Sequence, residues 1–210
     1  MSKITIELID NMGSDLTVVN AARVSFGNRS DTLEQRDNNL ISYLANHKHT
    51  SPFGHCFATF HVKAPIFVAR QLVKHKFLRW NEISRRYVDN DPEFYVPELW
   101  RGRSVDKKQG SDGVVYPFNG SENEFVNYTA LRVYKELLEE GVAPEQARMV
   151  LPQSTMTEWW WSGSLDAFID MCMLRCKNDT QHETRKVAIR INQLLEEKYP
   201  TSVRAIWNAE

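Results

Sequence analysis

A chain of 210 residues is long enough for one sizeable core and short for two, so a single domain over residues 1–210 is expected. Its 26 Lys/Arg against 27 Asp/Glu exclude a bulk electrostatic pull toward nucleic acid or membrane, and any anion site must be local. No stretch approaches the roughly 20 apolar residues of a membrane-spanning helix, and the three cysteines are odd in number, so a soluble cytoplasmic protein without a disulfide framework is expected.

KITIELI (3–9) alternates as a strand does, and Ser14 and Asp15 then offer a cap for a helix through DLTVVNAARVSF (15–26). Leu40, Ile41 and Leu44 stand at helical spacing in a helix that HTSPFGH stops at Pro52. FATFHVKA (57–64) alternates again, and Pro65 suits the first turn of a mostly buried helix, IFVARQLVKH (66–75). EFYVPELW (93–100) reads as extended and RGRSVDKKQGSDG (101–113) as an exposed loop. Ser121 and Glu124 form a capping box for a helix through Leu138 that ends near Gly141. PEQARMVL (144–151) predicts a short helix and TMTEWWWS (155–162) an extended segment. Ser164 caps LDAFIDMCMLRCK (165–177), and Thr180 with Glu183 makes a second capping box for a last helix to about Tyr199. Helices interleaved with short alternating strands indicate an α+β domain.

Arg23, Arg70, Arg148 and Arg175 each interrupt an apolar run. A guanidinium stays charged and is costly to bury alone, so each must reach water, a carboxylate, a carbonyl or a ligand anion. KHKFLRWNEISRRY (74–87) concentrates five Lys/Arg and a histidine. If its end is extended, Glu82, Ser84 and Arg86 share a face that offers an acceptor, a hydroxyl and a bidentate donor to a nucleotide. Gln71, Lys74 and His75 share one side of the preceding helix by i, i+3 and i+4 spacing. A nucleic-acid groove needs basic charge over a larger surface, which favours a small anionic ligand.

Other chemistries have less support. The clustered His47, His49, His55 and His61 lack HExxH or CxxC company, so no metal site is expected. Cys172 and Cys176 lie four apart on an apolar helix face, where packing is the expected role. No Gly-rich phosphate loop is present, and Trp159–Trp161 reads as core or interface.

KHK, seven residues and then Ser84 resembles the signature of the flavin-dependent thymidylate synthases, where Arg-His-Arg and a serine are usual. HTSPFGH, FHVKAPIFVARQ, NEISRRY, ARMVLP and LRCKNDTQHETR follow in that family's order over nearly the whole chain. The resemblance implies an α+β domain with a mostly antiparallel sheet and several long helices. It also implies a homotetramer with shared active sites that binds FAD and deoxyuridine monophosphate (dUMP), with methylenetetrahydrofolate and NADPH as cosubstrates and no partnership with nucleic acid or membrane. By resemblance, Gln71, Lys74, Glu82, Ile83, Ser84, Arg85, Arg86, Arg148 and Arg175 line the dUMP site, with Arg175 stabilising charge on the uracil ring as the catalytic residue. Ser51, Lys74, His75, Lys76, Glu82 and Asp170 match flavin-contacting positions, and His49 a histidine near flavin and folate.

Lys74 and Lys76 depart from the usual arginines, keeping the charge and losing the planar fork. Asp166, Asp170 and Asp179 stand where the family commonly has other residues, and carboxylates near a flavin phosphate are unfavourable. Two alternatives stay open: a flavin- and folate-dependent dUMP hydroxymethylase using the same pocket, and a non-catalytic nucleotide- or nucleic-acid-binding protein on the same scaffold.

Overall fold

A computed structural model describes residues 2–88, 90–105, 110–115 and 120–210. Strand β1 (Thr5–Met12) leads into α1 (Asp15–Arg23), a 3-10 turn and α2 (Gln35–Asn46). Strand β2 (Phe57–Pro65) runs directly into α3 (Ile66–Leu72), followed by β3 (Arg79–Glu82) and the short β4 (Arg101–Arg103) and β5 (Ser111–Val114). Then come α4 (Ser121–Glu139), α5 (Pro144–Ala147), β6 (Met156–Ser164), α6 (Leu165–Arg175), α7 (His182–Lys198) and α8 (Pro200–Asn208).

The main sheet has the order β1-β2-β6-β3, and every pairing is antiparallel. The alternation of FATFHVKA buries Ala58, Phe60, Val62 and Ala64 and leaves Thr59, His61 and Lys63 on the other face. Phe60 lies opposite Trp161 and Val62 opposite Trp159, so the buried residues of β2 and β6 make one apolar surface. Phe168 of α6 sets its ring edge-on to Phe60 and Trp161, with centroids 5.0 and 5.4 Å apart. Val187, Ile191 and Leu195 of α7 complete the same core. Of the three consecutive tryptophans, Trp160 points outward, which period-2 geometry requires.

The structure departs from the sequence reading where long-range pairing or local turn chemistry decides. RGRSVDKKQGSDG is not simply a loop: its ends pair as β4 and β5, while residues 106–109 lie outside the described residues. EFYVPELW is extended but contributes only a bridge from Phe94 to Thr155. Pro65 caps α3 as the last residue of β2 rather than entering its first turn. The helix α3 stops at Leu72, so Lys74 and His75 lie in the turn after it and do not share a helical face with Gln71. Gly120, in the left-handed region at φ 81°, caps α4 in place of the proposed Ser121 box. Gln181 precedes α7, and the Thr180 hydroxyl instead donates to the Leu174 carbonyl at 3.2 Å. The chain also continues past Tyr199 into α8, with Pro200 pre-set for a first helical turn.

Buried Asp15 anchors α8 from 186 residues away. Its carboxylate accepts the Thr201 and Ser202 N–H groups, each at 2.9 Å, and the Ser202 hydroxyl at 2.6 Å. The Tyr199 hydroxyl stands 2.9 and 2.8 Å from the Met12 and Phe57 carbonyls, fastening the α7–α8 junction to the end of the β1–β2 pair. Arg23 is similarly structural, bonded to Ser30 and to the fully buried Asp37.

Phe168→Ala should cost about 3–5 kcal/mol, because two buried ring contacts are replaced by a cavity. A urea titration reads this as a fall in midpoint with an unchanged slope.

Candidate active site

The register of β3 against β6 organises the basic segment. Arg79 pairs with Ser162 and Glu82 with Trp159, so Lys74–Lys76 precede one end of the strand and Ile83–Arg86 leave from the other. Four strand residues span on the order of 10–13 Å. The residues expected around one nucleotide therefore form two groups in a single chain.

The first group surrounds Arg175, in the last turn of α6. Its Nε donates to His75 Nε2 at 2.9 Å, and both side chains are half-buried. Burial, aided by the Arg175 charge, pushes the His75 imidazole down to about 4. Burial also lowers Arg175. Lys74 and Lys76 are exposed beside this pair and form no ion pair among the described residues. Gln71 bonds Gln181, a residue the sequence reading did not single out. Between Lys76 and β3, Phe77 adopts φ 65° and is 83% exposed. A side chain in the left-handed region is strained by about 1–2 kcal/mol, and here it turns the chain from the basic triplet into the strand.

The second group begins at Glu82, whose two oxygens both have donors. Thr157 Oγ1 donates to Oε1 at 2.6 Å and Trp80 Nε1 to Oε2 at 3.0 Å. Trp80 is itself held by stacking on Trp159 at 4.3 Å. Beyond Glu82 the expected shared face does not form, because Ser84 to Tyr87 make a turn closed by the Tyr87 N–H on the Ser84 carbonyl at 3.0 Å. The turn instead brings Arg86 Nε to Ser84 Oγ at 3.1 Å. Arg85 reaches Asn90, and with Ile83, Lys63, Glu93 and Thr157 it lines a small cleft of about 40 Å³.

The other expected residues lie apart. His49 and Asp170 line a cleft of about 70 Å³ with Lys48, Thr50, Asp166 and Glu210. Burial and the Asp166 and Glu210 charges raise the Asp170 carboxyl, while Lys48, which is bonded to Glu210, opposes this. Ser51 is exposed in the adjoining turn. Arg148, in a 3-10 turn after α5, and Arg70 are exposed, so these two interruptions of apolar sequence face water. The His47 and His49 rings meet edge-on with centroids 6.2 Å apart, but among the described residues no group of three or more His, Cys, Asp or Glu could hold a metal. A cavity of about 300 Å³ that the sequence did not signal is walled by Phe67, Tyr95 and Trp100. At its edge the buried Glu183 accepts Arg101 with both oxygens, at 2.5 and 2.7 Å.

The arrangement around Arg175 thus offers cations and guanidinium N–H groups that no carboxylate meets among the described residues, the donor set for a phosphorylated ligand. The cleft with Asp166 and Asp170 offers acceptors and does not suit an anion.

A family model described as thymidylate synthase complementing protein matches residues 7–201. The chain belongs to that family. Among relatives called flavin-dependent thymidylate synthase, the one from Thermosipho africanus is 40% identical over 95% of this chain and 89% of its own. The one from Thermus thermophilus is 42% identical over 93% of this chain and 72% of its own. A crystal structure of the UMP/dUMP methylase PolB from Streptomyces cacaoi bound with 5-Br dUMP superposes with a TM-score of 0.90 at 32% identity, over 99% of this chain and 96% of that one. The same methylase bound with 5-Br UMP gives a TM-score of 0.87 at 31% identity, over all of this chain and 96% of that one.

The depressed His75 value carries a sign. Between pH 6.5 and about 4 the unfolded chain binds a proton that the folded chain refuses, so the His75 contribution to stability is complete above 6.5 and is lost as pH falls. Thermal melts from pH 7 to 4.5 should show a steeper fall for wild type than for His75→Gln.

Proposed function

We propose that this protein is a flavin-dependent methylase of dUMP: a single catalytic domain over residues 1–210 that makes dTMP in the cytoplasm and works as a homotetramer. The observation that carries the reading is the half-buried Arg175, whose hydrogen bond to His75 uses only Nε, beside exposed Lys74 and Lys76 in a chain of this family. The separation of the two residue groups by β3 supports shared sites, with Glu82–Arg86 of one protomer facing Lys74–Lys76 and Arg175 of another.

FAD fits the donor set around Lys74, His75 and Lys76, which suits its diphosphate. When bound, it supplies the hydride that completes the methyl group, with NADPH as its reductant and methylenetetrahydrofolate as the source of the carbon. The chain's own residues bind and polarise. Lys74, Arg86 and Arg148 supply charge for the nucleotide phosphate, and Gln71 can bond the pyrimidine edge. Arg175, fixed and partly desolvated, stabilises negative charge that develops on the uracil ring as C5 becomes nucleophilic. Glu82, clamped by Thr157 and Trp80, keeps a carboxylate at the junction of nucleotide and flavin. Ser84, whose hydroxyl meets Arg86 and has no base beside it among the described residues, serves as a contact. Ser51 and His49 complete the flavin and folate side. Asp170 fits there only as an acceptor for an N–H or O–H donor, away from the phosphates.

No thiolate nucleophile is needed. Cys56 and Cys172 are fully buried, and burial pushes the Cys56 thiol up to about 11 and raises Cys172. Cys176 opens instead on the groove between α7 and α8.

Incubation of the protein with FAD, NADPH, methylenetetrahydrofolate and dUMP should give a nucleotide heavier by one methylene, read by mass spectrometry. A product heavier by one methylene and one oxygen identifies a hydroxymethylase, and unchanged dUMP defeats the reading. Because the methylase PolB is described with both UMP and dUMP, the two nucleotides belong side by side in this assay. Arg175→Ala should lower kcat about 10²–10³-fold with flavin still bound, checked by steady-state kinetics and the flavin absorbance of the purified variant.

A further inference from the structure

Three partly buried arginines of this chain have been given different partners. Arg23 meets the Asp37 carboxylate, and Arg101 meets both oxygens of Glu183. Arg175 meets an imidazole. The arginine Nε–H has a hydrogen and no available lone pair, so in the Arg175–His75 contact the His75 Nε2 must be the acceptor. An accepting Nε2 requires a ring whose proton sits on Nδ1, the tautomer that a free imidazole in water disfavours.

We propose that His75 is a positioning residue for Arg175: it fixes the guanidinium through a neutral acceptor and so leaves its positive charge uncancelled for the nucleotide. The inference rests on the methylase reading for its consequence, but the contact itself does not. A carboxylate would orient Arg175 equally well, yet an opposite charge about 3 Å away would cancel most of the guanidinium's field at a ligand beyond it. A neutral ring orients and does not cancel. The backbone holds both partners for this purpose. The His75 N–H bonds the Leu72 carbonyl at 3.1 Å, extending the end of α3, and the Cys176 N–H bonds the Cys172 carbonyl at 2.8 Å, closing the last turn of α6 beside Arg175. The strained Phe77 then turns the chain away, so His75 stays against α6 while Lys74 and Lys76 remain exposed.

Nitrogen NMR of the whole protein, labelled at histidine and recorded at pH 7, tests the contact directly. Beside His47, whose Nδ1 donates to the Tyr43 carbonyl at 2.8 Å, a second imidazole should show its proton on Nδ1 and a bare Nε2; this second signal should be missing in His75→Gln and revert to the ordinary tautomer in Arg175→Ala. A His75 ring protonated on Nε2 overturns the proposal. The consequence is tested with the near-isosteric pair His75→Gln and His75→Glu, beside His75→Leu, at saturating FAD and with flavin content measured for each. Gln, a neutral acceptor, should retain kcat within about tenfold of wild type, a loss of no more than about 1.4 kcal/mol in transition-state stabilisation. Leu, with no acceptor, and Glu, an acceptor that neutralises, should each lose at least tenfold more than Gln, and Glu should also weaken dUMP binding measured by calorimetry. Glu equal to Gln would show that charge is irrelevant and sink the idea, as would Leu equal to wild type. If wild type turns over no nucleotide, the functional reading fails while the NMR result still decides whether His75 holds Arg175.

Discussion

The ladder between β2 and β6 is the constraint on which the rest depends. Nine residue pairs run from Phe57 and Ser164 to Pro65 and Met156. Because side chains alternate, this single register decides that Phe60, Val62, Trp159 and Trp161 face the helices together, and a slip of β6 by one residue would turn Trp159 and Trp161 to the other face. It also sets the second neighbour of β6. With Glu82 opposite Trp159, Trp80 stacks on Trp159 and Thr157 comes within hydrogen-bonding reach of Glu82. A core pairing thereby aims a carboxylate at the end of the sheet.

Charge follows the same division between frame and site. Arg23 and Arg101 are matched to buried carboxylates and act as internal ties. Such ties give little net stability, because desolvation offsets much of the attraction, but removing one partner leaves a stranded charge. Around Arg175 the matching stops, and Lys74 and Lys76 keep their charges available. The contrast explains why a chain with almost no net charge can belong to a family of nucleotide-modifying enzymes: the cations of Lys74 and Lys76 stand together, and among the described residues no carboxylate pairs with them.

Much of this was legible in the sequence because it is local. The alternation of FATFHVKA and the Trp-rich segment gave two central strands, and helical spacing gave α2, α4, α6 and α7. The KHK triplet, Ser84 and Arg175 marked the basic segment and its distant partner. What escaped depends on contacts between remote positions. No local pattern says that Thr157 will stand opposite Glu82, that Gln181 will bond Gln71, or that Arg101 and Ser111 will flank a hairpin. The two expected capping boxes failed for a related reason. Ser121 and Thr180 had suitable neighbours, but Gly120 reached a positive φ that fixed the first boundary, and the Thr180 hydroxyl found the Leu174 carbonyl instead. The end of α3 at Leu72 and the turn from Ser84 to Tyr87 broke the two side-sharing patterns expected on a helix and a strand.

The clasp of Asp15 on α8 has a consequence for how the chain acquires its fold on the ribosome. The Asp15 carboxylate has as partners the amides and hydroxyl of Thr201 and Ser202, made 186 and 187 residues later. Until they emerge, α1 carries a charge that cannot be buried, and the β1–β2 end lacks the tyrosine that fastens it. Sequence-distant closures of this kind are slow to form and give no reward before both partners have been made. The N-terminal elements of a nascent chain thus lack this clasp until α7 and α8 arrive.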